Sequence, residues 1–92
     1  MATNFFSVTA IFAKTAEDAL ERVSRYVAKV DGFAVTGDVV PSRLGRGFEV
    51  LVENRGGNRN DLWVVLTSYG LSPGRTLGAH WASVPGVGQA VA

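Results

Sequence analysis

The hydrophobic period of this chain changes several times, and the order of those changes restricts the fold more than any single motif does. Residues 4–13 (NFFSVTAIFA) alternate as a strand does. Phe6, Val8, Ala10 and Phe12 share one face, predicted to meet helices; Phe5, Ser7, Thr9 and Ile11 share the other, more polar one. A helical period follows. Thr15 and Asp18 have the N-cap to N3 spacing of a capping box, and Glu17 and Asp18 suit the positive end of a helix dipole. Ala16, Leu20, Val23, Val27 and Val30 form the predicted buried stripe. Asp18–Arg22 and Glu21–Arg25 are i,i+4 pairs of a solvated face, each worth about 0.2–0.5 kcal/mol. Asp31-Gly32 is the predicted stop, with Gly32 able to take a left-handed conformation.

Residues 33–40 read as a second strand, with Gly37 a candidate bulge, and Pro41 ends it. Residues 48–53 alternate cleanly, with Phe48, Val50 and Val52 inward and Glu49, Leu51 and Glu53 outward. Residues 60–69 admit two readings. Trp63, Val64, Val65, Thr67 and Tyr69 have strand propensity. Against this, Asn58 or Asn60 can cap a helix, Leu62, Val65, Leu66 and Tyr69 recur at helical spacing, and Gly70-Leu71 resembles a Schellman stop. The helix is the reading adopted. Pro73-Gly74 is a turn, residues 75–84 are predicted to form the last strand, and 85–92 a mobile tail. The result is a single α+β domain over residues 1–84 in the order β-α-β-β-α-β. This is the split βαβ, ferredoxin-like arrangement, an antiparallel sheet with two helices on one face. With 60–69 as a strand, it becomes one helix on a five-stranded sheet.

Ninety-two residues leave room for one core only. A formal net charge of +1 supplies no global field toward nucleic acid or membrane. The absence of cysteine excludes disulfides, thiolate zinc sites and cysteine nucleophiles. The longest apolar run falls far short of the roughly 20 residues of a membrane span, and Met1-Ala2-Thr3-Asn4 lacks the basic region of a signal peptide. A cytoplasmic protein without a membrane partner is expected. Arginine far outnumbers lysine, and Ala, Val and Gly are plentiful, a bias common in GC-rich bacteria and their phages.

Chemistry needs positioned groups, and few are available. His80 has no second histidine to work with, and a metal or acid–base site would need Asp38, Glu49 or Glu53. Those are outward strand positions, where charged side chains are the rule. No catalytic residue, metal site or cofactor is assigned, and no enzyme is expected. The loop Arg55-Gly56-Gly57-Asn58-Arg59 precedes a helix, whose N-terminal amides can hold phosphate. It matches neither the P-loop nor the dinucleotide fingerprint and reads as a flexible turn. Arg46-Gly47-Phe48-Glu49-Val50 resembles the start of the RNP1 motif of RNA-recognition modules, which share this element order. That resemblance implies RNA stacking on an exposed Phe48 face. Alternation puts Phe48 and Val50 inward instead, and one register cannot serve both.

Two surfaces remain. In a split βαβ fold the β1–α1, β2–β3 and α2–β4 connections share one end, which would gather Lys14, Arg43, Arg46 and Arg75 with Asp38 the only acid near. Helix two carries more apolar residues than one stripe uses, leaving Trp63 and Val64 at its edge; Phe5, Ile11, Leu51 and Trp81 would add apolar area to the open sheet. The expected function is a non-enzymatic protein-binding module. It would dock helix two or the open sheet on another chain, either a host protein, as for a phage accessory protein, or a second copy of itself. The basic end would steer the approach. Alternatives are nucleic-acid binding through the basic end, and a small ligand-binding or enzymatic dimer using His80.

Overall fold

Two strands of strict alternation, β1 (Asn4–Ala10) and β3 (Phe48–Asn54), lie side by side at the centre of the sheet. The computed structural model describes residues 4–74, 77 and 81. The other elements are α1 (Ala16–Val27), β2 (Phe33–Pro41), α2 (Arg59–Ser68) and a short β4 (Ser72–Pro73). The sheet is four-stranded in the order β2-β3-β1-β4, and its paired strands are antiparallel. This is the ferredoxin-like order, and the segment that admitted two readings is helix from Arg59 to Ser68, with Tyr69 as its C-cap. The register runs from Asn4↔Asn54 to Ala10↔Phe48, with Pro41↔Phe48 and Thr9↔Ser72. The end of β1, the end of β2, the start of β3 and the start of β4 therefore meet at one end of the molecule.

The helices form where local chemistry starts them. The Thr15 hydroxyl accepts the Asp18 N–H at 3.0 Å and opens α1. The Asn58 side-chain oxygen accepts the Asn60 and Asp61 amides at 2.9 and 3.3 Å and opens α2. At the far end of α2, Leu71 N–H reaches Leu66 O at 2.9 Å across Gly70, whose φ is +76°, completing the Schellman stop with Leu71 buried. Thr15→Ala is expected to cost about 1 kcal/mol in urea unfolding. A loss indistinguishable from zero would mean that α1 is started by packing alone.

Ala19, Val23 and Val27 of α1 and Leu62 and Leu66 of α2 close over Phe6, Val8, Ala10, Val50 and Val52 of the sheet. Four expectations change. β4 is Ser72–Pro73, in place of the turn expected at Pro73-Gly74, because the chain leaving α2 pairs with Val8 and Thr9 of β1 at once and Gly74 N–H bonds to Ser7 O at 2.8 Å; the strand expected over 75–84 falls mostly outside the described residues. Ala16 is exposed and Ala19 is buried in its place, a small rotation of the stripe. The helix α1 ends at Val27 rather than near Asp31, because Lys29 and Val30 bond to the carbonyls three residues back and tighten the chain into a turn. β1 ends at Ala10, and the chain turns there through an Ala13 N–H to Ala10 O bond, which throws Phe12 out of the core. Gly37, at φ +97°, lies in the register shift between Val35 and Val39. The irregularity falls on the edge strand β2, where it discourages pairing with a second sheet. No described helix is long and apolar enough to cross a membrane.

Candidate docking site at the loop end

Alternation sends Glu49 and Leu51 of β3 to the sheet face away from the helices, as expected, yet neither is open to solvent. Leu51 and Trp81 are 1% and 0% exposed and form a second apolar cluster, with Phe5, Val40 and Leu77 packed around them. Glu49 is also buried; its carboxylate accepts the Trp81 indole N–H at 3.1 Å and the Arg43 backbone N–H at 3.4 Å. An indole carries a large apolar body and one donor, and here both are satisfied on the same face. The apolar patch expected from Phe5, Leu51 and Trp81 is thus filled by the chain's own aromatic ring. Trp81, expected on a strand over 75–84, is in 3-10 conformation.

Helix two keeps its own tryptophan partly buried. Trp63 packs on Phe6 at a centroid distance of 4.9 Å, and the Arg59 guanidinium sits 5.6 and 5.9 Å from the Phe6 and Trp63 rings. Trp63 therefore packs against the main core, and of the two residues expected at the edge of that helix Val64 alone is exposed, at 66%. The turn before α2 uses its amides internally: Asn54 Oδ1 accepts Gly56 and Gly57 N–H at 3.0 and 2.8 Å, and Asn58 caps the helix. The Thr36 hydroxyl donates to Asp38 at 2.9 Å, and Glu53 pairs with Arg55. Among the described residues no cluster of three His, Asp or Glu side chains can hold a metal ion. His80, Arg75 and the tail 85–92 lie outside the described residues.

The topology does bring Lys14, Arg43 and Arg46 to one end, all three exposed. Two residues that periodicity misassigned or passed over join them: Phe12, 74% exposed, and Leu44, 71% exposed. The loop between β2 and β3 is tied inward by its backbone, through Ser42 N–H to Gly47 O, Gly45 N–H to Ser42 O, and Leu44 N–H to Ser42 Oγ at 3.1 Å each. At Gly47, where φ is +66°, an added Cβ would lie 2.1 Å from Ala10 O, so this loop presses on the end of β1 beside Ile11 and Phe12. Leu44 had a readable signal, an apolar residue between Arg43 and Gly45 in a glycine-rich loop.

Phe12 also borders a crevice of about 260 Å³ between α1 and the chain leaving α2. Tyr26 and Tyr69 stack within its lining, centroids 4.0 Å apart and planes 14° from parallel. Arg22 pairs with Asp18 at 3.1 Å and Arg25 with Glu21 at 2.6 Å along the α1 wall. The hydrogen bond from Arg22, aided by its charge, holds the Asp18 carboxyl below the usual carboxylate value. Surface pairs of this kind contribute only about 0.3–0.5 kcal/mol, so a ligand can exchange with them. Compared with protein-family models, curated proteins and solved structures, the chain matches none.

Proposed function

We propose that this is a small non-enzymatic protein-binding module that docks through its loop end, not through its sheet face or helix two. The observation carrying this reading is the company of Phe12 and Leu44. Two large apolar side chains stand exposed next to Lys14, Arg43 and Arg46, while the sheet face offered by Leu51 is already covered by Trp81. Burial of such side chains in a partner supplies affinity, and the cations raise the encounter rate. The partner is another protein chain, a host protein or a second copy. The arginine-rich composition suits a phage accessory protein acting in the cytoplasm of its host.

Affinity capture from source cells, run beside light scattering of the pure protein, tests the reading. Phe12→Ser/Leu44→Ser should reduce recovery of a stoichiometric partner, or dissociate a homodimer, by about tenfold or more. The same variant should change stability by no more than about 0.5 kcal/mol, because both side chains are exposed. A partner kept by that variant and lost with Val64→Ser would move the docking surface to α2 and sink the proposal.

A further inference from the structure

We infer that the partner presents an acidic chain segment bearing an apolar side chain. The apolar side chain seats against Phe12 at the mouth of the crevice, and neighbouring carboxylates meet Lys14, Arg43 and Arg46. This rests on the docking reading above and adds the chemistry of the occupant.

Charge is the first argument. The stretches 11–15 (IFAKT) and 42–47 (SRLGRG) contain three cations and no acid. The buried Glu49 lies beneath this surface and is bonded to Trp81 and to the Arg43 backbone. The first turn of α1 adds Glu17 and Asp18 at this end, Asp18 paired with Arg22, so the end keeps a surplus of cations, and complementary charge on a partner both steers and orients it. Crevice size is the second argument. A volume of about 260 Å³ falls below the range of roughly 300–1,000 Å³ typical of small-molecule and cofactor sites. It suits a side chain delivered by a larger partner. The third argument is what lines the crevice. The lining is more polar than apolar; the stacked Tyr26 and Tyr69 rings supply apolar area at it, and Asp18 and Glu21 are paired with Arg22 and Arg25. An apolar anchor enters that crevice without meeting an unpaired charge, and its acidic neighbours meet the loop cations Lys14, Arg43 and Arg46 outside it. A nucleic-acid strand fits less well, because the aliphatic Leu44 gives no base a stacking face.

The test is a titration of the isotope-labelled full chain, followed by amide chemical shifts, with three short synthetic peptides. One carries leucine and phenylalanine among glutamates, one carries the same apolar residues among lysines, and one has the glutamates but no apolar residue. The first peptide should shift the amides of 11–14 and 42–47. Its affinity should fall about tenfold or more in Phe12→Ala and in Arg43→Glu/Arg46→Glu. The other two peptides should bind at least about tenfold more weakly. Equal binding of the glutamate peptide without apolar residues, equal binding of the lysine peptide, shifts centred on Val64, or no binding would each overturn the inference. So would an oligothymidine that binds the same residues more tightly than the first peptide, which would assign the cations to nucleic acid. If capture of a partner is lost in Phe12→Ser/Leu44→Ser while the first peptide fails, the docking reading stands and the acidic partner falls.

Discussion

Replacing Trp81 by alanine is expected to lower the free energy of unfolding by about 3–5 kcal/mol, the range for emptying a buried aromatic site. The side chain is fully buried, it covers Leu51, and its indole N–H is one of the donors to the buried Glu49 carboxylate. Alanine would leave Leu51 facing water or a cavity and would withdraw that donor from a buried carboxyl group. Trp81→Phe separates the two effects. It keeps an aromatic ring over Leu51 and removes the N–H, and should cost about 1–3 kcal/mol. Domains of this kind are stable by only about 5–15 kcal/mol, so a loss of this size removes a large fraction of the total. Urea unfolding followed by circular dichroism measures both. An alanine variant as stable as the parent would show that the second face of the sheet does not depend on this ring.

The second large effect is expected at the opposite end, where two loops touch through glycine. Gly32 precedes β2 with φ +91°, and an added Cβ would stand 2.4 Å from Gly57 Cα and 2.5 Å from Gly57 N. Its carbonyl also accepts the Arg55 N–H at 2.7 Å, so the two segments are pinned as well as close. Gly57 is constrained from its own side, with an added Cβ 2.3 Å from Phe33 Cε2 and 2.7 Å from Asp31 O. Gly32→Ala should therefore cost about 1 kcal/mol for the left-handed backbone and a further 1–3 kcal/mol for the overlap with backbone that cannot move aside. Gly45 and Gly56 also have positive φ, but nothing lies within 4 Å of an added Cβ at either. Alanine at Gly56 should show the conformational part alone, about 1 kcal/mol. Equal losses at Gly32 and Gly56 would mean that the contact with Gly57 relaxes at no cost.

Most of the architecture was legible in the residues because its causes are local. Thr15 and Asn58 cap their helices through bonds spanning two or three residues, and Gly70-Leu71 closes α2 within a single turn. The alternation of Phe6, Val8 and Ala10 and of Val50 and Val52 selects the core face of each central strand. Element order then forces Lys14, Arg43 and Arg46 to a common end, which is why the basic half of the candidate site could be found from sequence. Its apolar half could not. Phe12 keeps the phase of Phe6, Val8 and Ala10, and nothing in that phase says that β1 stops at Ala10. Strand length is set by pairing partners, and β3 begins opposite Ala10.

Element order, the helix starts, the gathering of Lys14, Arg43 and Arg46 and the face to which each strand residue points all follow from local pattern. What covers the second face is set by long-range packing alone. A period of two divides a strand into sides without saying what lies against either. Glu49 was rightly placed outward, but whether outward means water depends on Trp81, which lies 32 positions further along the chain. That contact exists because a buried carboxylate and an indole donor satisfy one another beside Leu51, a long-range match that no local pattern encodes.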